Sequence, residues 1–280
     1  MRVTFCGTRG STPAPGPDFV RYGGNTSCVA VSHDGDDWPS LLLDAGTGLR
    51  RVQDLLGDDR AFEGTMLLTH LHWDHVQGLP FFPSGDRVGS RVSLLLPSDD
   101  QMGATELLSR MMSPPFFPIG PTQLRGDWSF GYVPDGTFEA EGFSILARDV
   151  PHKGGHTVGY RVSDGRTSLA YLPDHCPTAL GSGPEEIGEY HEAALELACG
   201  VDLLIHDSHL RAEEVEAEGS FGHAAAEYAV RLGELAGSRK VALFHHRPER
   251  TDVEVECTVA RFAERGLSVV AAEEGVTVEL

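Results

Sequence analysis

The segment Thr69-His70-Leu71-His72-Trp73-Asp74-His75 gathers three imidazoles and a carboxylate into an H-x-H-x-D-H spacing. Side chains two apart on an extended chain project to the same side, so His70 and His72 can meet one metal ion at a strand end. Asp74 and His75 open the next turn and can reach a second ion. Imidazole nitrogen combined with carboxylate oxygen suits zinc and is compatible with manganese or iron; copper fits less well where so many oxygen ligands are on offer. A solvated turn is the plain alternative, but a heptad of this composition is rare by chance.

Residues of the same kind follow other apolar runs. Asp44 follows Leu41-Leu42-Leu43, Asp174 follows residues 168–173, His206 and Asp207 follow Leu203-Leu204-Ile205, and His245 and His246 follow residues 241–244; His152 comes a few residues after the run 143–147. In α/β sheets ligands bind beyond the carboxyl ends of strands, so groups scattered in sequence can converge on one rim. Any one of them alone reads as a cap, a turn acid or a core histidine. Six strand ends repeating the choice point to one polar site.

Short apolar runs alternating with helical patterns predict an α/β architecture. Strands are expected at 3–6, 29–32, 41–43, 66–68, 92–96, 143–147, 168–172, 201–205, 241–244 and 267–271. Helices are expected over 190–199, ended by Gly200, and over 222–236, with Ala225, Tyr228, Leu232 and Leu235 on one face. A third starts at Thr251, where Thr251 and Glu254 make a capping box ahead of a Val255, Val259 and Phe262 stripe. No low-complexity linker divides the chain, so residues 1–280 are expected to form one domain. The tetrapeptide PFFP at 80–83 and 115–118 reads as two loops.

The 22 Lys and Arg stand against 42 Asp and Glu, a formal charge of −20. Gripping duplex DNA or long RNA requires clustered cations that displace counterions from phosphates, so extended nucleic-acid binding is not expected. No apolar run approaches the roughly 18 residues of a membrane span, and the opening Met1 to Phe5 is no secretory segment. A cytoplasmic protein is the expectation. Cys6, Cys28, Cys176, Cys199 and Cys257 are odd in number and widely spaced, and read as reduced thiols.

Through GTRGSTPAPG (7–16), RYGGNTSC (21–28), LLLDAGTG (41–48), THLHWDHVQGLPFF (69–82), HKGGHTVGYR (152–161), AYLPDH (170–175), DLLIHDSHL (202–210), FGHA (221–224) and LFHHRP (243–248), the chain resembles the metallo-β-lactamase fold hydrolases. Within them it is most similar to the ribonuclease Z-like and cyclic-phosphodiesterase branch. The resemblance implies a four-layer αββα sandwich, a homodimer and two divalent ions, zinc first among them. It places one ion on His70, His72 and His152 and the other on Asp74, His75 and His245, with Asp174 bridging. Asp44 would steady the H-x-H-x-D-H loop from behind. His245 is preferred to His246 because it follows the strand directly and matches the family position. His156 is a rival to His152, read as a loop histidine near the site mouth.

Asp207 and His223 occupy the places of an acid and a histidine that act together on the leaving group in ribonuclease Z-like proteins. The acid here is shorter, and Ala224 and Ala225 replace the Ser and Thr of that motif. On the residues alone, His223 would sit near a helix N-terminus, where the dipole opposes a cation unless Asp207 offsets it; a cap or packing role is the alternative.

Two ions sharing a water would lower its pKa from about 15.7 toward neutrality. Asp74 would orient or deprotonate that water, and His223 would support the departing alkoxide. The expected activity is hydrolysis of a phosphodiester in a small or cyclic nucleotide. In tRNA 3′ processing, the nearer rival, the family's enzyme inserts a long gripping arm between the positions of His152 and Asp174. Only 21 residues separate them here, reading as two strands and a turn at Asp164-Gly165. A lactone or thioester hydrolase would not need His223, and a non-catalytic scaffold would lose ligands that are all present. Phe81, Phe82, Phe116 and Phe117 could stack a base at the mouth or simply anchor loops.

Overall fold

Leucine and β-branched runs build the strands of the protein, seen here in a computed structural model that describes residues 1–57, 59–99 and 101–280. In chain order they are β1 (Arg2–Gly7), β2 (Cys28–Ser32), β3 (Leu41–Leu43), β4 (Glu63–Leu67), β5 (Arg91–Leu96), β6 (Asp127–Tyr132), β7 (Gly136–Ala140), β8 (Phe143–Asp149), β9 (Val158–Ser163), β10 (Ser168–Leu172), β11 (Leu203–Asp207), β12 (Lys240–Phe244), β13 (Ser268–Ala271) and β14 (Thr277–Glu279). The helices are α1 (Leu49–Leu56), α2 (Trp73–Val76), α3 (Ala104–Ser109), α4 (Glu192–Ala198), α5 (Val215–Glu218), α6 (Ala226–Ala236) and α7 (Asp252–Ala260).

The strands form two seven-stranded sheets, ordered β14-β1-β2-β3-β4-β5-β6 and β13-β12-β11-β10-β9-β8-β7. Both are mixed. β3 to β6 run parallel in the first and β10 to β13 in the second, and the remaining pairings are antiparallel. Phe5, Leu43, Phe143, Tyr160, Tyr171 and Phe244 pack between the sheets. The outer face of the first sheet is covered by Leu49, Val52 and Leu108 from α1 and α3. That of the second is covered by Leu197, Tyr228 and Leu232 from α4 and α6. This is the expected αββα layering, and burying one such large apolar side chain contributes about 1.5–3 kcal/mol.

The strands buried on both faces, β2, β3, β10 and β11, are the ones that read as unbroken apolar runs. The helix expected over 222–236 starts later. Gly222 turns the chain at φ 108°, residues 223–225 stay outside the helix with Ala225 bridged to Leu210, and the first helical residue is Ala226. His223 therefore stands three residues outside α6, and the helix-dipole reading of it does not hold. Leu235, assigned to the buried face, is half exposed. The strand placed at 201–205 runs over Leu203–Asp207, which takes His206 and Asp207 into the sheet. The Thr251–Glu254 capping box is present at α7.

Candidate metal centre

The parallel strands of both sheets point their carboxyl ends at one rim. β3 delivers Asp44, β4 the loop carrying His70 and His72, β10 Asp174, β11 Asp207 and β12 His245, while the turn after β8 adds His152. His72 is the extended N-cap of α2, so His70 and His72 precede the helix and Asp74 and His75 lie on its first turn, as the spacing required.

Asp44 fixes this loop. Fully buried and in the left-handed region at φ 59°, it accepts the Thr69 amide (2.7 Å) and the Tyr171 hydroxyl (2.9 Å) as well as His75 Nδ1 (2.8 Å). A carboxylate can only accept, so His75 carries its proton on Nδ1 there and turns the Nε2 lone pair inward. His152 is set the same way, with Nδ1 donating to the Gly222 carbonyl at 2.7 Å. His245, itself at φ 57°, lies against Gly10, where any Cβ would run into the imidazole. The adjoining Ser11 amide donates to Asp74 at 2.7 Å.

Inside the rim, the nitrogens face one another. His72 Nδ1 and His152 Nε2 are 3.3 Å apart, and so are His75 Nε2 and His245 Nε2. Two ligands at about 2.0–2.1 Å from one tetrahedral zinc would be separated by about 3.3 Å. His245 Nε2 is also 3.1 Å from Asp74 Oδ2 and 3.2 Å from Asp174 Oδ2, while Asp174 Oδ2 is 2.7 Å from His75 Nε2. His70 Nε2 is buried with no hydrogen-bond partner. His70, His72 and His152 make one set of donors within 4.8 Å of each other, Asp74, His75 and His245 a second, and His70, His75 and Asp174 a set that joins them. Facing lone pairs, an orphaned imidazole nitrogen and a shared carboxylate fit two divalent ions.

The electrostatics agree. Burial alone would raise the Asp74 and Asp174 carboxyls, but the imidazoles of His75 and His245 hold both below the usual carboxylate range. Burial also opposes charge on His75, yet Asp74, Asp44 and Asp174 raise it well above an ordinary histidine. That proton stands where a cation would. His70 and His72 are pushed down by burial and held neutral, the form that binds metal.

At the edge of the centre His223 Nδ1 is 3.2 Å from both Asp174 Oδ1 and Asp207 Oδ2. Asp207 is further held by the amides of His175 (3.2 Å), His209 (2.9 Å) and Ala224 (3.1 Å). His246 turns away, bonding the Ala272 carbonyl and lying edge-on to Tyr22. His156 stands outside, paired with Asp149 at 2.6 Å and touching Ser98. The sequence reading missed His209, whose ring stacks on His223; its closeness to Asp207 in Asp207-Ser208-His209 was the available signal.

Of the four phenylalanines, Phe82 is a core residue, whereas Phe81 and Phe116 are exposed and Phe117 packs edge-on against Phe81. A cavity of ≈ 280 Å³ beside His70, His72 and His156 shares Leu71 and Leu107 with a groove of ≈ 580 Å³ lined by Trp73, Met111, Phe116 and Phe117.

Residues 40–246 match the model of the beta-lactamase superfamily domain. The chain belongs to the metallo-β-lactamase superfamily. Ribonuclease Z of Haloarcula marismortui is 26% identical, the alignment covering 88% of this chain and 86% of that one. The metallo-beta-lactamase fold protein YhfI of Bacillus subtilis superposes with a TM-score of 0.73 at 18% identity over 99% of both chains. A diphosphatase from the PhnP family gives 0.67 at 19% over 100% of this chain and 97% of that one. These structural likenesses speak for the fold, and the relatives place the chain near the ribonuclease Z-like and PhnP-like branch of the superfamily. The protein is a metal-dependent hydrolase with the metallo-β-lactamase fold, built around buried His/Asp clusters suited to a dinuclear site. No helix among the described residues is long and apolar enough to cross a membrane.

Proposed function

We propose that the protein hydrolyses a phosphodiester bond in a small or cyclic nucleotide. The observation that carries this reading is His223, set between Asp174 and Asp207 at the edge of the metal clusters. Burial opposes its charge, but in the metal-free protein the two carboxylates more than offset that and push its pKa up to about 10, so it carries a proton at neutral pH there. Nδ1 is turned to the carboxylates, which leaves Nε2 to hand a proton to a departing alkoxide, the poor leaving group of a nucleotide diester. A carbonyl ester or lactone has less need of such a group.

His70, His72 and His152 would hold one ion, zinc in the first instance, and Asp74, His75 and His245 the other, with Asp174 between them. When bound, the pair supplies Lewis acidity at the phosphoryl oxygens and a hydroxide-level nucleophile at neutral pH. Asp74, fixed by the Ser11 amide, orients the attacking water. Trp73 and Phe116, next to the metal cavity, offer faces on which a base can stack.

Ribonuclease Z is named for RNA, yet a small substrate is the better reading here. The interval from His152 to Asp174 holds only β9, β10 and their turn, and the net charge is −20. We read residues 1–280 as one domain with one centre, assembling as a homodimer. The free thiols of all five cysteines favour a reducing, cytoplasmic setting. The test is a screen of metal-reconstituted protein against cyclic nucleotides, a dinucleotide, bis(p-nitrophenyl) phosphate and a lactone. Turnover of the lactone alone overturns the reading.

A further inference from the structure

His209 has no place in the chemistry described so far, and its setting is unusual for a histidine that only packs. Its ring is buried and stacked on His223, centroids 4.2 Å apart and planes 20° apart. The backbone on either side is pinned. The His209 amide donates to Asp207 at 2.9 Å, its carbonyl accepts from Arg250 Nη2 at 3.0 Å, and the following Leu210 is bridged to Ala225. The backbone that carries the ring is therefore held, and the ring itself packs on His223.

Yet the ring hydrogen-bonds to nothing among the described residues, and Nδ1 is wholly buried without a partner. Other histidines around the centre have at least one ring nitrogen engaged: His75 with Asp44, His152 with Gly222, His223 with Asp207, His245 with Asp74 and His70 with Thr69. A buried polar group without a partner is destabilising. Nε2 is without a partner too but is not sealed off, so it is the nitrogen that a partner arriving with the substrate can reach. One ring nitrogen of His209 lies within 4.8 Å of ring nitrogens of both His223 and His245.

We propose that His209 is a phosphoryl-binding residue, which beside the stacked His223 donates a hydrogen bond to a non-bridging oxygen of the substrate phosphate, on the flank of the centre away from His70 and His72. The inference rests on the phosphodiesterase reading and adds to it a second point of contact for the tetrahedral phosphorus group. His209 Nε2 donates one hydrogen bond to that oxygen and His223 Nε2 remains available to the leaving group. No bond to His209 forms or breaks.

The test uses full-length, metal-loaded protein of measured metal content, with inorganic phosphate titrated by calorimetry and bis(p-nitrophenyl) phosphate turned over in parallel. His209→Phe keeps a flat ring against His223 but removes both nitrogens. It should weaken phosphate binding and raise KM by about tenfold each, the worth of one hydrogen bond of about 1.4 kcal/mol, with metal content unchanged. His209→Gln, which restores a donor, should recover part of the loss. Should the Phe variant fail to fold, His209→Met fills the same space without a donor and carries the same comparison. Wild-type affinity for phosphate in the donorless variant overturns the proposal, as does loss of metal from it or an absence of phosphate binding by the wild type. If diester turnover is absent while the phosphate contrast between variants persists, the phosphodiesterase reading fails and the phosphate contact stands.

Discussion

Replacing Asp44 by Asn isolates what the buried carboxylate does for the centre without disturbing the backbone, because Asn tolerates the left-handed φ of 59° that this position adopts. One amide oxygen can still accept the Thr69 amide. The NH2 group must then face His75 Nδ1 and the Tyr171 hydroxyl, both of which now donate to Oδ2. His75 Nδ1 has to become an acceptor, which moves its proton to Nε2, the nitrogen that faces Asp174 and His245. As the only proton of a neutral imidazole it is not given up to a cation as the second proton of the wild-type ring is, and loss of such an outer partner typically weakens metal binding 10–100-fold. At free metal about 100 times the wild-type dissociation constant, one ion contributes about 2.7 kcal/mol of stability; a roughly 30-fold loss of affinity reduces this to about 0.9 kcal/mol. For a chain of 280 residues these amounts correspond to metal-dependent shifts in Tm of roughly 5 °C and 1.5 °C. Calorimetric melts with and without metal, beside a chelator competition, measure both quantities. An Asn variant that binds two ions as tightly as the wild type would show that the tautomer of His75 is not set by Asp44.

Further outcomes follow from the same geometry. Asp174→Ala should cost metal and diester turnover together, whereas His156→Ala, outside the clusters, should retain both; equal small effects in elemental analysis and turnover would remove the bridging assignment. Gly10→Ala should push the His245 imidazole aside and release one ion of two at little cost to folding, and a variant retaining both ions would place His245 elsewhere. Precursor tRNA should be cleaved poorly even at low salt, and efficient 3′ processing in a gel assay would refute the small-substrate reading. His223→Ala should keep both ions but slow hydrolysis of a nucleotide diester by about 10²–10⁴, with a smaller effect on a p-nitrophenyl ester, whose phenolate departs without a proton. Equal slowing of the two would make His223 structural.

The strands nearest the centre were legible because β3, β10 and β11 are buried on both faces and carry a polar residue at or just beyond their ends. β6, β7 and β14 were not, since they lie at sheet edges and alternate exposed with half-buried residues, including Asp127, Glu139 and Glu279. The start of α6 was misplaced because the run Ala224-Ala225-Ala226 has helical composition, and composition does not register a tertiary bond. The Ala224 amide goes to Asp207 at the end of β11, and Ala225 is bridged to Leu210, which together hold 223–225 out of the helix. Local pattern offered for His209 only its closeness to Asp207, and the rest of its setting comes from a stacking partner on another segment. The neighbours His245 and His246, of one residue type, are told apart only by the backbone: at φ 57° the first faces Asp74 and Asp174, and the Ala272 carbonyl takes the second.

The centre is also a seam. His70, His72, Asp74 and His75 follow β4 of the first sheet, and His152, Asp174 and His245 follow strands of the second, so all three donor sets that would hold the ions cross between the layers. Asp44, Asp74, Asp174 and Asp207 are all buried along that seam, and carboxylates withdrawn from water are unfavourable unless positive charge accompanies them. In the bare protein, protons on His75 and His223 provide part of that compensation. Two divalent ions held by these clusters would complete it and would tie the sheets together at the same point. Metal binding would therefore be coupled to the packing of the two sheets, because ligands that must meet across the interface can do so only when the layers are in register.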